Sequence, residues 1–259
     1  MSITDHLGRN VECKLPPSRI ISLCPGITET LYALDFQVVG RTKYCIFPKE
    51  KVTNATVVGG TKEINLQTIR ELKPDLIIAE KEENTKEIVE SLEKEYPVYV
   101  AEVQSIEDAY RMTLDMGRLT GRENQAEKLV QRVKEKFQSL PSAKGKRVAY
   151  VIWRKPYMVV GKNTYINSVL EELGFTNPCS KLEGRYPALT IEQLQNMELD
   201  YIFLATEPFP FQEKHKEEFQ RFMPHTIPLI VDGEMFWYGA KMLKAAEYFQ
   251  QLVRGTSEN

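Results

Sequence analysis

The sequence predicts an α/β protein made of two similar halves, and three observations lead to this fold class. Short apolar runs alternate with segments of helical periodicity along the chain, which is typical of strands joined by crossover helices. The order of these elements in the first half is repeated in the second. Residues 124–140, which contain neither glycine nor proline, separate the halves and predict a stiff helix between them.

The first half contains the elements of a parallel strand–helix–strand unit. The apolar run RIISL at residues 19–23 predicts a buried strand, and Thr28 is placed to cap the helix that follows. DLIIA at residues 75–79 and PVYVA at residues 97–101 predict two further strands. The charged segment 84–95 predicts a helix between them, and so long a crossover requires parallel strands.

The second half repeats this order. RVAYVI at residues 147–152, DYIFLA at 200–205 and PLIVD at 228–232 predict strands. Residues 214–223 predict a helix between the last two strands. ITETLYALDF in the first half aligns with INSVLEELGF in the second, and INLQTIRELKPD aligns with LTIEQLQNMELD. The repeated order predicts two Rossmann-like lobes, each with a parallel sheet.

The same order predicts the domain boundaries. We expect an N-terminal α/β lobe at residues 1–120, a linking backbone helix at 121–142 and a C-terminal α/β lobe at 143–259. In open parallel sheets, ligands bind beyond the carboxyl ends of the strands. We therefore expect a ligand cleft between the lobes, lined by the loops that follow the strands.

Composition excludes several classes of function. The 34 basic and 36 acidic residues leave no positive excess for the phosphates of nucleic acids. No apolar run reaches the about 18 residues that predict a transmembrane helix. The four cysteines show no C-x-x-C spacing and the three histidines include no i, i+4 pair, so we expect no metal site formed by the protein.

Aromatic residues cluster in the loops that follow the predicted strands. The segments WRKPY, TEPFPF and DGEMFWYG, with GRYP in a further loop, contain both tryptophans of the chain. A large flat ligand needs apolar walls of this kind and a few polar groups to orient it. The candidate ligand contacts are Trp153, Tyr157, Tyr186, Glu207, Phe209, Phe211, Trp237 and Tyr238.

Motifs of catalysis are absent from the sequence. It contains no G-x-S-x-G, no phosphate-binding G-x-x-x-x-G-K-[ST] and no G-x-G-x-x-G, so we predict no catalytic residue. Glu80, Glu82 and Glu83 could serve acid–base chemistry, but they fall at the start of a predicted helix. Carboxylates stabilise a helix N-terminus, so we interpret the cluster as a solvated helix end.

Three segments resemble a known family. RIISLCPGITETLYAL, VVGRTKY and VVGGTKEINLQTIRELKPDLIIA resemble the class III solute-binding proteins of ABC importers, the receptors for vitamin B12, ferric siderophores and haem. The resemblance covers residues 19–252. It implies two α/β lobes on one long helix, a monomer that works with an ABC permease, and no cofactor beyond the metal inside a bound chelate.

The resemblance also implies further ligand contacts. Tyr44 and Tyr186 stand where the vitamin B12 receptors have aromatic residues in the cleft, whereas Thr61 replaces a tryptophan, so one stacking wall is lost. Arg154 and Arg185 could bind the carboxylates of an anionic chelate, since arginine recognises carboxylates through two hydrogen bonds.

Two features depart from the family pattern. Members present one glutamate per lobe to the permease; Glu192 stands at that position in the second half, but Gln67 stands there in the first. The N-terminus carries Asp5, His6 and Arg9 where a signal peptide has an apolar run. The resemblance implies an extracytoplasmic protein, and we expect a cytoplasmic one if Met1 is the native start.

Three functional hypotheses follow. The first is a substrate-binding protein for a metal chelate (ferric siderophore, cobalamin or a haem-like ligand) that works with an ABC importer. The second is a cytoplasmic sensor or carrier of the same fold. The third is an α/β enzyme that uses the cleft, with Glu82, Glu207 or Glu234 as acid or base. It predicts that at least one of these three glutamates is buried with a raised pKa.

Overall fold

The computed structural model, which describes residues 2–257, contains two five-stranded sheets flanked by helices. The strands are β1 (Ser2–Thr4), β2 (Asn10–Glu12), β3 (Ile20–Ser22), β4 (Gly40–Arg41), β5 (Thr56–Val57), β6 (Leu76–Glu80), β7 (Val98–Ala101), β8 (Val148–Trp153), β9 (Tyr157–Val159), β10 (Ala188–Leu189), β11 (Tyr201–Ala205) and β12 (Ile227–Val231). The helices are α1 (Pro25–Ala33), α2 (Lys49–Val52), α3 (Leu66–Leu72), α4 (Lys86–Leu92), α5 (Ile106–Thr120), α6 (Glu123–Gln138), α7 (Tyr165–Glu172), α8 (Ile191–Gln195), α9 (Glu213–Phe222) and α10 (Met242–Ser257). This alternation confirms the predicted α/β class.

The first sheet has the strand order β5-β4-β3-β6-β7, and all its pairings are parallel, as the sequence predicts. Its central strands β3 and β6 are buried along their whole length because helices cover both faces of a parallel sheet. Ile21, Ile77 and Val98 belong to its apolar core, together with Ile88 of α4.

The second sheet has the order β10-β9-β8-β11-β12, and it is mixed rather than wholly parallel. Strands β8, β11 and β12 are parallel, but β9 is antiparallel to both of its neighbours. Only residues 154–156 connect β8 to β9, and a crossover to a parallel strand needs a dozen residues or more. The expectation of two parallel sheets is corrected here by this short connection.

The two sheets nevertheless share one plan. In each, the first strand of the half (β3 or β8) lies at the centre, the next two extend to one side and the last two to the other. This equivalence agrees with the repeat predicted from the sequence. It places the loops after β3 and β6, and those after β8 and β11, at the carboxyl edges of their own sheets.

Helix α1 begins earlier than predicted. It begins at Pro25, whereas the sequence pattern placed its cap at Thr28. Proline is well suited to the first helical position because its fixed φ is helical and the N–H that it lacks has no partner there. Thr28 lies inside the helix, where its hydroxyl donates to the carbonyl oxygen of Cys24 at 2.9 Å.

The predicted connecting helix is present as α6, which covers 16 residues. It follows α5 after Gly121, whose φ of +65° lies in the left-handed region that a glycine readily adopts after a helix. Ala126, Val130 and Val133 are buried on one face of α6, as the periodicity predicts. At 1.5 Å per residue the helix is about 24 Å long.

The described chain divides into two compact units. One consists of the residues up to Val103, Glu107–Lys134 and Tyr238–Lys241, and the other of Gln104–Ile106, Glu135–Trp237 and the residues from Met242 onward. The division therefore falls inside α6, and a short segment late in the sequence groups with the first unit. The predicted domain boundaries and the predicted cleft stay predictions.

An N-terminal hairpin, β1–β2, is not among the elements predicted from the sequence. The backbone N–H of His6 donates to the carbonyl oxygen of Val100 at 3.2 Å, and the N–H of Val100 donates to Asp5 Oδ2 at 3.3 Å. The hairpin loop therefore pairs with β7, the edge strand of the first sheet. Separately, none of the helices within residues 2–257 has the length and hydrophobicity needed to cross a membrane.

Candidate functional site

In the first unit, Cys24 and Tyr238 meet at the carboxyl end of β3. The thiol of Cys24 lies 3.1 Å from the hydroxyl of Tyr238, and the tyrosine ring covers Gly26. Burial, with the nearby charges of Glu83 and Glu80, raises the pKa of both groups well above its ordinary value. Both groups are therefore neutral at physiological pH. Tyr238, predicted as a ligand contact, is anchored to this unit.

Glu80 ends β6 at the same edge of the sheet, and its side chain is only 2% exposed. Its Oε2 accepts from the backbone N–H groups of Glu82 at 2.7 Å and Glu83 at 3.1 Å, and its Oε1 accepts from that of Val103 at 3.3 Å. Burial outweighs these hydrogen bonds and raises its pKa to about 7. The interpretation of this cluster as a solvated helix end is wrong for Glu80, since α4 begins only at Lys86.

Tyr44 and Thr61 lie in loops of the same unit but differ in exposure. The side chain of Tyr44 is 50% exposed, and the ammonium group of Lys43 lies 5.2 Å from the centre of its ring. Thr61 is buried, and its carbonyl oxygen accepts from the Asn84 amide at 3.1 Å. Tyr44 thus presents an aromatic ring to solvent, as a ligand contact must.

In the second unit, Trp153 is the exposed member of an aromatic group. It ends β8, is 42% exposed and makes an edge-to-face contact with Phe209, with ring centres 5.9 Å apart. Phe209 in turn contacts Phe211 at 4.7 Å. Phe211 is only 2% exposed and lies in the core beside Phe219, so the structure gives its ring a packing role.

Arg154 and Tyr157 both bind Glu218 of α9. Arg154 Nη2 donates to one carboxylate oxygen at 2.8 Å, and the hydroxyl of Tyr157 donates to the other at 2.7 Å. Burial and the charge of Glu218 raise the pKa of Tyr157 to about 12. Burial alone would raise the pKa of Glu218, but these hydrogen bonds outweigh it and lower that pKa. The Arg154 charge is therefore already paired within the unit.

Trp237 and Glu207 form a pair in the loops after β12 and β11. The indole N–H of Trp237 donates to Glu207 Oε1. Close by, Tyr150 is buried, and burial raises its pKa well above the ordinary value, with further contributions from Glu207 and Tyr186. The structure thus brings two predicted site residues, Glu207 and Trp237, together at one edge of the second sheet.

The remaining predicted residues lie elsewhere on the two units. Arg185 is half-buried, and its carbonyl oxygen accepts from the N–H of Gly161 at 2.7 Å. Gln67 is exposed on α3, where its amide donates to Glu71 Oε1 at 3.0 Å. Glu192 is exposed in the first turn of α8. In the first unit, the carboxylate of Glu71 lies one helical turn from Gln67.

Other candidate sites have less support. Of the acids in the enzyme hypothesis, Glu207 binds Trp237, and Glu82 and Glu234 are half-buried. Within residues 2–257, no group of three or more His, Cys, Asp or Glu side chains is arranged to hold a metal ion. A surface groove of about 670 Å³ between α9 and β12 is lined by residues 213, 216, 217, 220, 221 and 227–229, none of them a predicted site residue.

Sequence reasoning missed Glu218, Gly233 and the burial of Glu80. Glu218 lies 61 positions from Tyr157, so no local pattern links the two residues. Gly233 faces Glu207, and the absence of a Cβ atom there leaves room for the glutamate side chain. No sequence motif indicates this role. Two acidic residues follow Glu80 closely, a pattern that resembles an exposed helix start.

Residues 20–226 match the protein family described as periplasmic binding protein. A Bacillus subtilis protein described as an uncharacterised ABC transporter substrate-binding lipoprotein is 28% identical over 217 residues, which cover 78% of this chain and 68% of that protein. A vitamin B12-binding protein of Vibrio vulnificus is 28% identical over 191 residues, 69% of this chain and 68% of its own length. An Fe(3+)-citrate-binding protein of Bacillus subtilis is 30% identical over 159 residues, 58% of this chain and 49% of its own.

The fold also matches a solved structure. The crystal structure of the periplasmic vitamin B12-binding protein of Vibrio cholerae superposes with a TM-score of 0.78, covering 95% of this chain and 100% of that one. The two sequences are 20% identical, so this similarity concerns the fold.

Proposed function

This chain belongs to the periplasmic binding protein family, and on that premise we propose that it captures a metal chelate for an ABC importer. The ligand class includes cobalamin, ferric chelates such as siderophores or citrate, and haem-like compounds. Relatives described as binding vitamin B12 and Fe(3+)-citrate support this class. The protein acts by binding rather than catalysis, and the metal arrives inside the ligand.

The observation that carries the proposal is the exposure of two aromatic rings at carboxyl-end loops. Tyr44 in the first unit is 50% exposed and Trp153 in the second is 42% exposed. Exposed apolar surface costs about 25 cal/mol per Å² in water. A ligand that covers an exposed ring at the carboxyl edge of a sheet therefore stabilises the complex. Flat or bulky apolar faces of a chelate would provide that cover.

Charge pairing within the protein limits which of the predicted basic side chains can bind the ligand. Because Arg154 is paired with Glu218, an anionic chelate that uses this arginine must compete with the carboxylate. Arg185 and Lys43 are further cations close to predicted contacts.

The permease partner follows from the family. Glu192 supplies the carboxylate of the second half, and Glu71, hydrogen-bonded to Gln67, supplies that of the first. Glutamate at i+4 lies on the same helix face as Gln67, about one turn away. The protein works on the extracytoplasmic side of the membrane, as the family and the lipoprotein relative suggest.

A titration of the purified protein tests the ligand class. The probes are cyanocobalamin, ferric citrate, a ferric catecholate and haemin, each followed by tryptophan fluorescence and by calorimetry. We expect saturable binding of at least one probe. Failure of all four in both measurements would contradict the proposed ligand class.

Substitution of Trp153 tests the observation itself. We expect Trp153→Ala to weaken binding about tenfold, since loss of a stacking ring costs on the order of 1.4 kcal/mol. Phe222→Ala is the matched control, because Phe222 is also an exposed aromatic residue (43%) but ends α9, away from the strand ends. Equal losses in both variants would show that Trp153 has no particular role.

A further inference from the structure

Glu207 is one of the predicted ligand contacts, yet its carboxylate is engaged by the protein itself. Oε1 accepts the indole N–H of Trp237. That N–H is the only hydrogen-bond donor of the tryptophan side chain, so the bond restricts the rotation of the ring. A bond to an ionised carboxylate is also stronger than one between neutral groups.

Gly233 makes the space in which Glu207 can reach Trp237. A Cβ atom at position 233 would lie 2.4 Å from Cγ of Glu207 and 3.3 Å from its Cδ, closer than real contacts allow. The backbone at this glycine has no positive φ, so the cost of an alanine comes from these contacts, and the side chain of Glu207 would have to move to accept it. The N–H of Gly233 donates to the hydroxyl of Thr206 at 3.0 Å, which holds the glycine beside Glu207.

The backbone that carries Trp237 is held as well. Its N–H donates to the carbonyl oxygen of Glu234 at 3.2 Å, and the preceding Phe236 packs against Tyr150 with ring centres 4.8 Å apart. Phe236 also packs against Phe249 of α10 at 5.0 Å. These contacts hold the main chain of Trp237. The bond to Glu207 therefore acts on the side-chain torsions of Trp237.

From these contacts we infer that Glu207 is a positioning residue, which with Gly233 holds the Trp237 ring ready to stack on the ligand. The inference rests on the proposed function, because it assigns to Trp237 one aromatic face of the binding site. Fixing a mobile side chain in advance spares the ligand the cost of ordering it. Loss of the bond should therefore weaken binding on the order of fivefold without removing any ligand contact.

The test uses Trp153→Phe as background, which leaves Trp237 as the single tryptophan of the full-length chain. Glu207→Ala removes the acceptor, Gly233→Ala displaces it, and Glu207→Gln keeps an acceptor oxygen of the same reach. Gly255→Ala is the matched glycine control, because nothing lies within 4 Å of a Cβ at that position. Circular dichroism verifies that each variant is folded.

The first readout is the fluorescence anisotropy decay of Trp237 without ligand. We expect faster ring motion in Glu207→Ala and Gly233→Ala, and motion close to that of the background in Glu207→Gln and Gly255→Ala. Unchanged ring motion in Glu207→Ala would overturn the inference. If that variant does not fold, Gly233→Ala decides the same point.

The second readout is affinity, measured with the same Glu207, Gly233 and Gly255 variants made in the unmodified chain, for whichever of the four chelates binds the unmodified protein. We expect the two variants with a mobile ring to bind about fivefold more weakly, and Glu207→Gln to restore most of the affinity. Equal losses in Glu207→Gln and Glu207→Ala with a fixed ring would make Glu207 a direct ligand contact and overturn the inference. If no chelate binds the unmodified protein, the proposed function fails, while the anisotropy still measures the positioning.

Discussion

At the scale of single residues, burial decides which charges act in the folded protein. Glu80 belongs to a run of acidic residues that resembles a solvated helix end, but the structure buries it and surrounds it with three backbone N–H donors. Arg154 resembles a free cation near a ligand but is paired with Glu218. In both cases the residue type was visible in the sequence and its partners were not.

The raised pKa of Glu80 predicts a pH dependence of stability. Its pKa rises from an ordinary 4.5 to about 7 on folding because burial disfavours the charge. Between these values the folded chain keeps a proton that the unfolded chain releases, so stability is fully present below pH 4.5 and falls as the pH rises toward 7. Each pKa unit corresponds to about 1.4 kcal/mol, so the fall amounts to about 3 kcal/mol.

Urea unfolding at several pH values measures this fall. We expect Glu80→Gln, which cannot titrate, to show a flatter profile across the same pH range. Glu50→Gln, at an exposed position of the same unit, should keep the slope of the unmodified protein. A slope that Glu80→Gln leaves unchanged would assign the titration to another group.

At the scale of elements, the N-terminal hairpin shows how a short sequence is held by side chains from elsewhere. His6 Nδ1 lies 2.8 Å from the carbonyl oxygen of Glu102, and its Nε2 lies 3.3 Å from Asp115 Oδ2. The same aspartate accepts from the hydroxyl of Tyr99 at 2.8 Å and from Arg118 at 2.9 Å. Asp115 of α5 therefore joins the hairpin, β7 and its own helix.

Asp115→Asn tests this junction. Burial by itself would raise the pKa of Asp115, but the hydrogen bonds from His6 and Tyr99 outweigh it and lower that pKa. The stabilisation is therefore present at neutral pH and lost as the pH falls through the lowered pKa. We expect the substitution to cost about 2 kcal/mol at pH 7, as for hydrogen bonds to a charged group, and to cost less in acid.

The measurement is chemical unfolding together with hydrogen exchange of the β1–β2 amides, which should exchange faster in Asp115→Asn. Asp35→Asn serves as control because Asp35 is exposed in the same unit, and asparagine suits its φ of +58°. Hairpin protection that survives Asp115→Asn would show that the hydrogen bonds of His6 and Asp5 to Val100 suffice.

At the scale of the whole molecule, each unit presents one exposed acidic group that the proposed function assigns to the permease. Glu192 is in the helix after β10, and Glu71 lies one turn from Gln67 in the helix after β5. An exposed ion pair contributes only about 0–1 kcal/mol, so a single substitution should have a small effect. Simultaneous loss of both should have a larger one.

Uptake of a labelled chelate by the source organism, with each variant replacing the native gene, measures this effect. We expect Glu71→Gln and Glu192→Gln each to slow uptake severalfold and the double variant to slow it further, with chelate binding by the purified variants unchanged. Glu90→Gln, on the exposed side of α4, is the control. Normal uptake in the double variant would contradict the assigned docking groups and would favour the sensor or carrier hypothesis.

The α/β class, the repeated strand order, helix α6 and the family can all be predicted from the sequence, because apolar periodicity, crossover length and family segments are local properties of the chain. The antiparallel β9 also follows from a local feature, the short connection at residues 154–156. The burial of Glu80, the pairing of Arg154 with Glu218 and the bond of Glu207 to Trp237 beside Gly233 become visible in the folded chain alone. These outcomes depend on contacts between residues far apart in the sequence and on the loss of water from the groups that those contacts bury.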